Sequence, residues 1–339
     1  MRTPFPSISD PVASPARPRR LFAGALLSLA AGAAASAPSP SDPGEAAVPP
    51  WPAVPLADGP GAAGPAPLPT PRMIETGVGR LAVRVLGDGP RTLLLWPSIL
   101  ADHTVYRAQI EAWRARHRLV VVDGPGHGDS GPPTGPFTMA ACAAAAATVL
   151  DALGEDRRVV LVGTSWGGLV AGEFALAHPG RTAAVVMLNT PVHAPVAGGS
   201  LTDRFVVWGA RWLHGTHLYT DGVARSFFLP QTIAAGDGRL AAFHRHLHRA
   251  DGAALASAVR SVLIGREALA PRMPQIAAPT LVIAGTEDAM YPPRTLQEAA
   301  ARLPRGRFEA VPSRHVSVVD APQLTTGLID RFLADLPTD

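Results

Sequence analysis

The segment Gly163-Thr164-Ser165-Trp166-Gly167 constrains this chain more than any other. It fits G-x-S-x-G, a sharp turn that lifts a serine hydroxyl off the end of a strand. Arg158-Val159-Val160-Leu161-Val162 before it is short, apolar and β-branched, the pattern of a buried parallel strand. Leu169 to His178 after it has helical spacing and is closed by Pro179-Gly180. The pentapeptide alone is a weak signal, because Gly and Ser are common; strand, turn and helix together make it a strong one. The spacing has a chemical reason. A serine held on a cramped turn needs neighbours two residues away that carry no Cβ, which Gly163 and Gly167 provide. The N–H groups that open the following helix then point where a negative oxygen would develop. The bland alternative is a Gly-rich turn with a surface serine.

A nucleophilic serine needs a base and an orienting acid. Downstream, Ala278 to Gly285 reads as another short apolar strand and runs into Thr286-Glu287-Asp288. An acid just past a strand's C-terminal end lies on the edge where open α/β sheets place their sites. Asp288 is the choice there, with Glu287 as the fallback. Arg307 to Val311 reads as a last strand and is followed by Pro312-Ser313-Arg314-His315. The chain has eleven histidines, so position decides. His315, after the last strand and before the last helix, is the expected base.

These segments resemble the α/β-hydrolase superfamily, in its serine-nucleophile branch of esterase, enol-lactonase and haloperoxidase-like proteins. The resemblance covers about residues 73–337. Arg118 to Asp123, with Gly124-Pro125-Gly126-His127-Gly128-Asp129-Ser130, resembles the fourth strand and its D-x-x-G-x-G-x-S loop. Asp320-Ala321-Pro322 resembles the start of the last helix, with Asp320 as its cap. The resemblance implies an α/β fold with a doubly wound, mostly parallel sheet. Its core is residues 73–190 and 275–339, with a helical cap inserted at 191–274. It implies hydrolysis of a carboxylic ester or lactone through an acyl-enzyme, with Ser165, His315 and Asp288 as the triad and no cofactor. Perhydrolase, carbon–carbon hydrolase and acyltransferase chemistry use the same first steps, and a ligand-binding relative is the non-enzyme alternative.

One loop departs from the family pattern. Many relatives end the third strand with His-Gly, whereas Arg91 to Trp96 here leads into Pro97-Ser98-Ile99. Proline has no N–H to give. The oxyanion donors are then the backbone N–H groups of Trp166 and Ile99, or Ser98 if the register shifts by one. In the insertion, Phe205, Trp208, Trp212, Phe227, Phe228 and Phe243 are candidate core or pocket aromatics; Trp208, Trp212, Phe227 and Phe228 are the pocket choices.

Composition narrows the rest. The chain contains no lysine, and all thirty of its basic residues are arginine. That removes Schiff-base lysine, pyridoxal-phosphate and P-loop chemistry. A single cysteine, Cys142, excludes an internal disulfide and a cysteine-cluster zinc site, and reads as a small buried hydrophobe. A net charge of +3 with scattered arginines gives no nucleic-acid footprint. His244 and His248 are i, i+4 neighbours on one predicted helix face, but zinc needs further ligands and no glutamate sits between them. That face therefore reads as solvated, and no metal is expected. The sequence sets no oligomeric state.

Residues 1–72 hold seventeen of the thirty-six prolines, and read as a disordered Ala/Pro-rich leader. Within it, Arg19-Arg20 and the apolar stretch to Ala37 resemble a twin-arginine export signal over about 17–37. The stretch is too short and Ala-rich for a membrane span. Export to the periplasm or medium is the expectation; translation from Met73 with a cytoplasmic product is the alternative.

Overall fold

The structure, a computed structural model, describes residues 67–236 and 238–337. The expected export signal lies outside them. Eight strands form one sheet: β1 (Arg72–Thr76), β2 (Gly79–Leu86), β3 (Thr92–Trp96), β4 (Arg118–Val122), β5 (Val159–Thr164), β6 (Thr182–Leu188), β7 (Thr280–Gly285) and β8 (Gly306–Val311). Their spatial order is β1-β2-β4-β3-β5-β6-β7-β8. β2 pairs antiparallel with β1 and β4, and the six strands from β4 to β8 run parallel. Parallel strands need crossovers on both faces, so the central ones are apolar throughout. All residues of β3, β5 and β7 are buried.

The crossover helices are α1 (Arg107–Trp113), α2 (Met139–Ala152) and α3 (Trp166–Ala177). A 3₁₀ turn, His103–Tyr106, precedes α1. Its cap is Asp102, whose side chain accepts from Thr104 N–H and closes the tighter turn first. α2 opens on Thr138, which caps Ala141 N–H, and Cys142 on it is buried.

Between β6 and β7 there is no strand among the described residues. Five helices fill the gap: α4 (Leu201–Trp212), α5 (His217–Phe227), α6 (Pro230–Ala234), α7 (Gly238–Arg249) and α8 (Gly252–Leu263). Three of the longer ones have sequence reasons to start. Ser200 and Asp203 form a capping box at α4, Thr216 caps α5, and Asp251 accepts two N–H groups at α8. Past β7 come α9 (Pro293–Ala300), α10 (Ser317–Asp320) and α11 (Pro322–Ala334). Among the described residues, no helix is long and apolar enough to cross a membrane.

Candidate active site

β5 delivers Ser165 to the C-terminal edge of the sheet. The residue has φ 54° and ψ −109°, a conformation that costs on the order of 1–3 kcal/mol for a non-glycine residue. The surroundings enforce it. Ser165 N–H donates to Leu188 C=O at 2.6 Å, and its own C=O accepts from Gly168 N–H at 3.0 Å. The turn is as tight as the sequence required: a Cβ on Gly163 would sit 2.0 Å from the carbonyl carbon of Gly167, and one on Gly167 1.9 Å from the Trp96 oxygen.

The segment after β8 brings His315 to that serine. Its Nε2 lies 2.8 Å from Ser165 Oγ, and its Nδ1 lies 2.8 Å from Asp288 Oδ2. An ionised carboxylate only accepts, so the proton on this imidazole belongs on Nδ1. Nε2 is then a lone pair facing a hydroxyl. Asp288 follows β7 directly and is 3 % exposed, whereas Glu287 beside it faces solvent. Of the two acids considered, Asp288 is the one brought to the histidine.

Asp288 is saturated with donors. Asn189 Nδ2 donates to Oδ2 at 3.1 Å, and the N–H groups of Met290 and Tyr291 donate to Oδ1 at 3.0 and 3.2 Å. Burial pushes its carboxyl pKa up, but the His315 charge and these hydrogen bonds outweigh burial and hold it below the usual carboxylate range. Asn189 also donates to Arg314 C=O at 3.1 Å, tying the acid to the histidine segment. This residue was not singled out in the sequence. The only hint in the sequence is its place just past β6; in the structure it takes left-handed backbone (φ 49°), which Asn tolerates.

The loop after β3 forms the other wall. Leu100 has φ 61°, and its N–H donates to His127 Nε2 at 3.0 Å. Ala101 N–H donates to Ser98 C=O at 3.3 Å. Leu100 is thereby committed elsewhere. His127 Nδ1 donates to Pro125 C=O at 3.1 Å, fixing the neutral tautomer. Burial first, and then the neighbouring His246, lower the His127 pKa to about 3. His127 packs on Trp166 with rings 5.4 Å apart and stacks on His246 of α7 at 5.7 Å. It thus braces the serine turn, the β3 loop and the insertion together. In the sequence, His127 is one position of the D-x-x-G-x-G-x-S loop and nothing more.

The aromatic residues of the insertion divide. Phe227 lies 5.3 Å from the His315 ring, and its C=O accepts Val316 N–H at 3.1 Å. Phe228 is buried against Phe243 at 5.1 Å. Trp208 and Trp212 do not join them: they are 44 % and 64 % exposed on the outer side of α4, with Arg211 over the Trp212 ring at 4.8 Å. The reason is helical phase. The buried face of α4 is Val207, Gly209 and Ala210, where Gly209 admits the Tyr219 ring and leaves no room for indoles.

Asp320 also departs from expectation. α11 is capped at Ala321 without a side-chain bond. Asp320 instead accepts from Arg314 N–H at 2.8 Å and from Leu229 N–H of the insertion at 3.0 Å. It clamps the backbone beside His315 to the insertion. His103, Asp123 and Asp129 are the one group of three described ligand types whose donor atoms all lie within 4.8 Å of one another. Arg84 already fills that space, 3.3 Å from Asp123 and from His103 and paired with Asp129.

Fold and site together define a hydrolase of the α/β class, and comparison with known proteins agrees. The family model described as the alpha/beta hydrolase fold matches residues 91–239. The chain belongs to that family. It is 29 % identical over 268 residues to the pimeloyl-[acyl-carrier protein] methyl ester esterase of Xanthomonas campestris pv. campestris, covering 75 % of this chain and 99 % of the esterase. It is 32 % identical over 228 residues to polyketide synthase ThaQ of Burkholderia thailandensis, covering 66 % of this chain but only 11 % of the synthase. The crystal structure of the enol-lactonase from Burkholderia xenovorans LB400 superposes with a TM-score of 0.69 at 25 % identity, covering 76 % of this chain and 97 % of the lactonase.

Proposed function

We propose that this protein is a serine hydrolase that cleaves a carboxylic ester or lactone through an acyl-enzyme. The observation that carries the reading is the hydrogen-bonded chain from Ser165 Oγ through His315 to Asp288, 2.8 Å at each link. His315 Nε2 takes the hydroxyl proton as Oγ attacks the carbonyl carbon. Asp288 holds the imidazole in the required tautomer and stabilises its cation. The developing oxyanion sits against the N–H of Trp166, first in α3, and that of Ile99 or Ser98 in the β3 loop; loss of one such donor costs on the order of a hundredfold or more in rate. His315 then gives its proton to the leaving oxygen, and afterwards activates the water that releases the acid. In a lactone the leaving oxygen stays joined to the acyl group through the carbon chain, and the last step releases one hydroxy acid.

Relatives of the chain that carry the names esterase and enol-lactonase support the substrate class. The insertion between β6 and β7 acts as the cap in this reading. Ser165 is 3 % and His315 2 % exposed. Ser165→Ala tests the reading: the protein should fold with unchanged circular dichroism and lose turnover of p-nitrophenyl esters. A fluorophosphonate probe should label the wild type at Ser165. Wild-type turnover in Ser165→Ala, or absence of labelling, overturns the assignment. Graded esters and lactones run beside that control define the substrate. Export is tested apart, by mass spectrometry of the native N-terminus: a peptide beginning at Met73 or Ile74 ends that proposal.

A further inference from the structure

The i, i+4 pair His244 and His248 lacked partners in the sequence; the fold supplies them from a second helix. His217 and Asp221 are also four residues apart, on α5. The His217 and His248 rings lie 5.6 Å apart, edge to face. Asp221 Oδ1 lies 3.7 Å from His244 Nε2. As numbering rises along α5, its partner falls along α7, so the helices run antiparallel here. The two contacts are successive rungs, about one helical turn apart. His246, two residues from each histidine of the pair, points to the opposite side, against His127.

Three imidazoles and one carboxylate from two facing helices are a four-ligand set of borderline donors, the chemistry that suits Zn²⁺. His244 Nε2 is buried and makes no hydrogen bond, although its ring stands beside Asp221. The four donor atoms are not gathered in the structure; His217 and His248 are exposed, so their side chains have room to turn toward Asp221 and His244.

We propose that α5 and α7 bind a divalent transition-metal ion, zinc by donor type, between His217, Asp221, His244 and His248. The ion clamps two helices whose other contacts reach the active site: α5 ends in Phe227 against His315, and α7 carries His246 against His127. The role is structural, and the site shares no residue with the triad.

The test is calorimetric titration of zinc sulfate into the metal-stripped full-length protein, with a thermal melt in parallel. One zinc per chain is expected. Zinc at a hundredfold excess over its dissociation constant should raise Tm by about 5 °C. His244→Ala/His248→Ala should lose at least about tenfold in affinity and lose the melt shift. If that variant does not fold, judged by circular dichroism, His217→Ala/Asp221→Asn on the other helix gives the same reading. That second variant also separates a cross-helix site from a chelate on α7 alone. No zinc binding by the wild type below about 1 mM, or undiminished affinity in His217→Ala/Asp221→Asn, overturns the proposal.

Discussion

Replacing Asp288 by asparagine tests the proposed mechanism at its least forgiving point. Each carboxylate oxygen already receives two N–H groups: Oδ2 those of His315 and Asn189, Oδ1 those of Met290 and Tyr291. An amide has one NH₂, and either orientation points it at two donors. The backbone pair cannot change. The imidazole can, by moving its proton to Nε2 so that Nδ1 accepts. That relief converts the atom facing Ser165 from acceptor to donor, and the base is lost. The wrong tautomer costs about 10⁴ in kcat in enzymes of this mechanism, about 5.4 kcal/mol of barrier. The crowded amide costs about 1–3 kcal/mol of stability, a Tm fall of several degrees. Steady-state hydrolysis of a p-nitrophenyl ester reads the first effect, and a thermal melt reads the second. Glu287→Gln, at an exposed neighbour, is the control and should behave as wild type. A folded Asp288→Asn protein within tenfold of wild-type kcat would refute both the role of Asp288 and the tautomer argument.

Further outcomes follow from the same geometry. Gly167→Ala places a Cβ 1.9 Å from the Trp96 oxygen, so the elbow must open; Tm should fall by at least about 5 °C and fluorophosphonate labelling should drop, and an unchanged melt would contradict the close approach. His127 is held at about 3 in the fold, against 6.5 in an exposed ring, so between those values the unfolded chain binds a proton that the folded chain does not. Stability is then whole above pH 6.5 and falls by about 1.4 kcal/mol per pH unit below it. His127→Gln should flatten that part of a denaturation series between pH 7 and 4; identical slopes would show that His127 is not buried neutral. Asp320→Ala frees the N–H groups of Arg314 and Leu229 and should lower kcat for the p-nitrophenyl ester by loosening the His315 segment; unaltered kinetics would show the clamp to be irrelevant to catalysis.

The elbow was legible in the sequence because its causes are local. Two glycines, a β-branched strand before them and a helix after them all lie within some twenty residues, and the steric reason for each acts within the turn. The placing of Asp288 and His315 just beyond strands β7 and β8 was legible for a related reason: strand periodicity sets where a strand ends, and the end of a parallel strand sets which edge of the sheet a residue reaches.

Helical phase and contacts between distant elements were decided only by tertiary packing. Trp208 and Trp212 have the composition of pocket residues, yet the side of α4 that turns inward was fixed by Gly209 accepting Tyr219, a contact between two helices. Asp320 has the sequence signature of a cap, yet Arg314 and Leu229 compete for its carboxylate and win. The position of Asn189 just past β6 and that of His127 in a loop motif do not reveal their roles, because those roles are bonds to Asp288 and Leu100, 99 and 27 residues away in the chain. The facing of His217 and Asp221 with His244 and His248 belongs to the same group. Local sterics write themselves into neighbouring residues, whereas the pairing of remote side chains depends on how whole elements rotate and settle against one another, and a single sequence carries no direct record of that rotation.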